Sequence, residues 1–174
     1  MINRSVNQKL QSIRDFNREI DELFPRTARE PSVDFPDDIL PFVLYRNTRR
    51  NIESIADQIN KSFHNGIYDG CAVLMRRLVE MLLILAFKEF KREDSIRGKD
   101  DNYLQLSQII NKAISSSELD LTRNTKEWLQ PFKKRFDLAA HNPFYNCTKK
   151  DLQNIQHEYR SLTEELLYKA GILK

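Results

Sequence analysis

Glycine is scarce in this chain, at four residues among 174. A turn-rich β protein needs many more, because tight turns draw on residues that tolerate positive φ. The two cysteines, Cys71 and Cys147, are too few for a disulfide scaffold. The three histidines, His64, His141 and His157, stand far apart. With no paired Cys, no His-Glu-x-x-His and no Glu-x-x-His, nothing suggests a metal site, and no metal or cofactor is expected. A phosphate-cradling glycine loop is missing too. Neither charge sign dominates: 28 Lys and Arg against 25 Asp and Glu leave a net +3. That permits an anionic partner without the clustered excess usual in duplex-DNA binders. The longest apolar run, "MLLILAF" at 81–87, is much shorter than the roughly 20 residues a membrane span needs. No membrane association is expected. The opening "MINRSVNQKL" has no apolar signal core, so a reducing, cytoplasmic setting is expected.

What remains is a helix-forming composition of ordinary globular size. Residues 3–23 read as an amphipathic helix, with Val6, Leu10, Ile13, Phe16, Ile20 and Leu23 on one stripe. Four of the six prolines (Pro25, Pro31, Pro36, Pro41) fall within 25–41, which reads as an extended connector. A helix over 44–65 follows, closed by Gly66 in a left-handed cap. Residues 67–91 are apolar nearly all round and predict a central helix. Further helices are expected over 103–115, 122–141 and 148–170. Pro131 should start, kink or split the fifth, and "TKKD" at 148–151 is a capping box for the last. The expected fold is all-α: a four-helix core within 44–174, preceded over 1–43 by the N-terminal helix and its proline-rich connector.

Two constellations carry possible chemistry. The first is "MRRLVE" at 75–80, where Glu80 lies four residues from Arg76 and three from Arg77, in reach of either. It reads as an ion pair fixing helix register, or as an arginine oriented toward a phosphate. The second is "KKRFDLAAHNPFY" at 133–145. On an ideal helix Lys134, Asp137 and His141 share one stripe, while Arg135 lies roughly 120° from His141. An aspartate one turn before a histidine can accept its ring N–H, fix the tautomer and favour the imidazolium. The helix C-terminus favours that cation as well. A basic histidine beside Lys or Arg suits acid/base work on a phosphate. A histidine that merely caps the helix beneath a solvated basic face fits the same residues.

A helical bundle whose late helix carries an arginine, four to six residues and a histidine resembles the HEPN superfamily. Here the motif is Arg135-Phe-Asp-Leu-Ala-Ala-His141, and the helix "YDGCAVLMRRLVEMLLILAF" is similar to the Arg-Arg-x-x-Glu helix of bacterial members. The likeness covers roughly 44–170. The family pattern puts a polar residue directly after the arginine; here Phe136 stands there, and Asp137 is the first polar residue.

The resemblance implies a metal-independent endoribonuclease, often a homodimer with two motifs facing one cleft. In it His141 acts as acid/base, Arg135 holds the phosphate, and Asp137 orients His141. Lys134, Arg76, Arg77, Glu80 and Asn142 are the substrate-binding candidates. Members serve in toxin–antitoxin pairs and antiviral defence, while others are inactive binding or scaffolding modules. RNA is thus an expected ligand. A protein partner is expected to use the amphipathic N-terminal helix as a docking arm.

Overall fold

The computed structural model describes residues 37–142 and 144–174, apart from the side chains of Ala140 and His141. The expected helix at 3–23, and most of the expected connector, lie outside the described residues. Among the described residues the fold is all-α. It comprises α1 (Phe42–Tyr45), α2 (Arg50–His64), α3 (Tyr68–Glu89), a 3₁₀ turn (Glu93–Ile96), α4 (Leu106–Ser115), α5 (Arg123–His141), α6 (Lys149–Gln153) and α7 (Gln156–Lys169).

Helix α3 is central, as its all-round apolar pattern predicts. It packs against α2, α4, α5 and α7 and buries Cys71, Ala72, Met75, Leu78, Val79, Leu82, Leu83, Ala86 and Phe87. Each large aliphatic side chain taken out of water on this helix contributes about 1.5–3 kcal/mol before entropy is counted. Across the core Phe132 and Phe136 of α5 stack, and both meet the ring of Tyr159 on α7 edge-on. The fully buried Tyr159 hydroxyl donates to the Met75 carbonyl at 3.0 Å, so α7 is pinned to α3 in both register and rotation.

Local signals place the ends. Gly66 has φ +73° and stops α2, because that conformation is strained for a residue with a Cβ. Thr148 and Asp151 form the expected capping box: the Asp151 N–H reaches Thr148 Oγ1 at 3.3 Å and the Thr148 N–H reaches Asp151 Oδ2 at 3.0 Å. The start of α5 is fixed from another helix. Glu165 on α7 accepts the Thr122 N–H, the Thr122 hydroxyl and the buried Thr125 hydroxyl at 2.6–2.7 Å.

Three expectations need correction. Residues 38–41 are part of the body rather than a connector. Ile39 and Leu40 are fully buried. Asn60 holds both the N–H and the C=O of Leu40, at 3.0 and 2.7 Å, while Arg160 and Gln156 bond the carbonyls of residues 37–39. Proline density said nothing about burial. Second, of the start, kink or split expected at Pro131, the start and the split do not occur, because α5 continues through it. The proline is exposed, so the Glu127 carbonyl it leaves without an N–H is open to water. Third, the 148–170 helix is two helices, broken at Asn154–Ile155. The apolar stripe Leu152, Ile155, Tyr159, Leu162 runs through the break, so periodicity cannot reveal it. The break turns α6 against α3.

Candidate functional site

Helices α3 and α5 pass in opposite directions. Asp137 of α5 meets Arg76 of α3, and further along the chain the Cys147 N–H donates to Asp69 Oδ1, near the start of α3, at 2.8 Å. The two constellations found in the sequence are thereby brought together.

Their contact is a four-residue ionic cluster. Arg76 donates through Nε to Asp137 Oδ1 at 3.2 Å and through Nη1 to Glu80 Oε2 at 3.4 Å. Lys133 donates to the other oxygen, Asp137 Oδ2. All four side chains are half-buried, with 22–31% of their surface exposed. Two cations therefore balance two carboxylates. Burial by itself would raise the Asp137 pKa, but the bonds from Lys133 and Arg76 outweigh it and hold the carboxyl below its ordinary value.

Arg135 goes elsewhere. Successive helical residues turn by about 100°, so Arg135 and Asp137 leave α5 on opposite flanks of Phe136. Phe136 is 1% exposed and forms part of the core, which accounts for an apolar residue after the arginine. On its own flank Arg135 donates to the Asp151 carbonyl at 3.3 Å. Asp151 is held below its ordinary pKa chiefly by the Thr148 hydroxyl and backbone N–H, with a further contribution from the Arg135 charge.

The remaining candidates fall as follows. His141 is the final residue of α5, and Asn142 caps that helix with its N–H on the Leu138 carbonyl. The Asn142 side chain accepts the Phe144 N–H at 3.0 Å. Lys134 and Arg77 are exposed on the outer surfaces of α5 and α3. The structure thus unites Arg76, Glu80 and Asp137, leaves Lys134 and Arg77 facing solvent, and sends Arg135 to the start of α6. Sequence reasoning missed Lys133 as a member of the cluster, although its four-residue spacing from Asp137 was available as a signal. It also missed the Asp151 carbonyl, for which no local pattern exists.

Among the described residues no three His, Cys, Asp or Glu side chains gather where they could hold a metal ion. No described helix is long and apolar enough to cross a membrane. In comparisons with protein-family models, curated proteins and solved structures, the chain matches none.

Proposed function

We propose that this chain is a metal-independent endoribonuclease of the HEPN kind, acting as a homodimer in a defence or toxin–antitoxin-type stress response. The observation that carries the reading is the meeting of α3 and α5. The helix bearing Arg76-Arg77-x-x-Glu80 packs on the helix that ends in Arg135-x5-His141, with Arg76 bonded to Asp137.

In this reading the ribose 2′-oxygen attacks the neighbouring phosphorus while the 5′-oxygen leaves, producing a 2′,3′-cyclic phosphate and a 5′-hydroxyl. His141, in the last turn of α5, takes the proton from the 2′-hydroxyl or supplies one to the leaving oxygen, and the helix terminus favours its charged form. Arg135 neutralises the phosphate, which requires it to exchange its single neutral bond to a carbonyl for a charge-assisted one. Arg76 and Lys133 hold Asp137 in place, and Asp137 supports His141 from one turn back.

A second reading has its own observation. The cations and carboxylates of the Arg76 cluster satisfy one another, as an ionic lock on helix register would. The chain is then a binding or interaction module that does not cleave. Incubating total RNA with the protein in EDTA, beside His141→Ala, separates the two. Cleavage by the wild type alone is expected. Equal cleavage by the variant would remove His141 from the site, and RNA binding without cleavage by either protein would favour the second reading.

A further inference from the structure

The central helix leaves one face to water. On α3 the residues Asp69, Val73, Arg77, Glu80, Ile84 and Lys88 stand at steps of four, four, three, four and four. At about 100° per residue they lie within about 100° of arc, on one stripe. None of the six is buried: Val73, Arg77 and Lys88 are exposed, and Asp69, Glu80 and Ile84 are partly exposed. Arg77 has no ion pair or hydrogen bond with a described residue. Glu80 engages Arg76 through Oε2 and leaves Oε1 without a described partner. A lone exposed valine or isoleucine needs no explanation. The order of these six residues does.

From its other end the stripe has the same spacing and the complementary chemistry. Turning the helix against itself about the point midway between Leu78 and Val79 sets Asp69 opposite Lys88, Val73 opposite Ile84 and Arg77 opposite Glu80. Acid meets base in two of the three pairs, and aliphatic meets aliphatic in the third. A two-fold axis demands such a pattern, because residue i must contact j while j contacts i. Asp69, Glu80 and Lys88 also keep partners within the chain: the Cys147 N–H, Arg76 and Glu93. A carboxylate and an ammonium can each make more than one bond, so these contacts are compatible with the crossed ones. For Arg77 the crossed contact is the first.

We propose that this face of α3 is a self-association surface, on which a second copy of the chain seats its own α3 antiparallel about a two-fold axis. The inference deepens the dimer of the reading above by naming its surface, and it departs from the arrangement that the resemblance implies. Helix α5 runs opposite to α3, with Asp137 at the level of Arg76 and the following loop at Asp69. The end of α5 that carries His141 therefore lies toward the Asp69 end of α3 in each copy. Antiparallel pairing sends these two ends apart, instead of setting them across one cleft. A single helix stripe covers less than the roughly 1,200–2,000 Å² of a standard interface, so the dimer is reversible and depends on concentration.

The test is sedimentation velocity of the full chain over a concentration series, with Arg77→Glu, with Glu80→Lys and with the two variants mixed. Alone, each variant sets like charges opposite one another twice across the axis, and should weaken the dimer by at least roughly tenfold. In the mixture the introduced glutamate faces the introduced lysine, and Glu80 of one chain faces Arg77 of the other. The mixed dimer should therefore recover to near the wild-type affinity. Val73→Asp, at an exposed position, should weaken the dimer too, and it keeps the test decisive if Glu80→Lys misfolds on losing its bond to Arg76. A wild type that stays monomeric overturns the proposal. So does a dimer that Arg77→Glu and Val73→Asp leave unchanged, which would lie on another face. Folded variants that fail to recover on mixing overturn the antiparallel register. RNA cleavage by wild type and His141→Ala is followed in parallel. A dimer with these properties in a protein that cleaves no RNA sinks the ribonuclease reading and leaves the surface standing, whereas His141-dependent cleavage by a monomer does the reverse.

Discussion

Arg76 on α3 and Asp137 on α5, 61 residues apart in the chain, are joined by a 3.2 Å hydrogen bond, and Lys133 holds the other oxygen of the same carboxylate. This carboxylate ties the central helix to the helix that carries the histidine motif.

A pH dependence follows from the Asp137 cluster. Burial pushes the Asp137 pKa up, yet the bonds from Lys133 and Arg76 bring it below its ordinary value. A carboxyl whose folded pKa is depressed adds stability above its unfolded pKa, and that stability is lost as pH falls through the folded value. Asp137→Asn should therefore lower the urea-unfolding free energy at neutral pH by about 1 kcal/mol, a modest amount because the cluster is partly solvated. The gap between variant and wild type should narrow as pH falls below the ordinary carboxylate range and the native carboxylate is protonated as well. A constant gap across that range would show that the ionic bonds do not stabilise the fold.

The two basic residues before the motif can be told apart. Lys134 shares a helical stripe with His141 and is exposed, whereas Arg135 is on another flank and bonds the Asp151 carbonyl. If the family pattern governs, Arg135→Ala should reduce RNA cleavage by about 100-fold, the loss of one charge-stabilising group, while Lys134→Ala changes it only a few-fold. The opposite ranking would make the outward stripe the phosphate track. Arg135→Lys should recover cleavage only in part, because an ammonium cannot reproduce the guanidinium fork.

Asn60 gives a prediction about the fold alone. It is 7% exposed and holds both backbone groups of the fully buried Leu40. Asn60→Ala leaves a buried N–H and a buried C=O without their partner, and should cost about 2–4 kcal/mol in chemical denaturation. A loss below about 0.5 kcal/mol would mean that residues 38–41 are not held as described, since small surface-like effects are of that size.

The long elements were legible from apolar spacing. The pattern located α3 and its central position and bracketed α4 and α5, while the helix expected over 44–65 is α1 and α2, separated at 46–49. The Gly66 stop and the Thr148–Asp151 box were readable because a cap is made by residues within one turn. The site was legible in part. Arg76 with Glu80 and Lys133 with Asp137 are four-residue pairs along one helix, the kind of contact a linear sequence displays. Arg76 with Asp137 and Arg135 with Asp151 are contacts between helices, and no local spacing encodes them.

The sequence by itself therefore determined the all-α class of the described residues, the long helices α3 to α5, several helix ends and the residue types available to the site. Those properties depend on backbone propensity and on apolar periodicity, both felt within a few residues. Tertiary structure decided the rest. It buried Ile39 and Leu40 from a proline-rich stretch, because Asn60, Gln156 and Arg160 supply the partners that the stretch's backbone needs in order to leave water. It broke the last helix so that α6 could reach α3. And by burying Phe136 beside Phe132 and Tyr159, it turned the two flanks of α5 toward different partners, Asp137 toward Arg76 and Arg135 toward the Asp151 carbonyl. Packing of a buried ring chose the partners of the charged residues on either side of it.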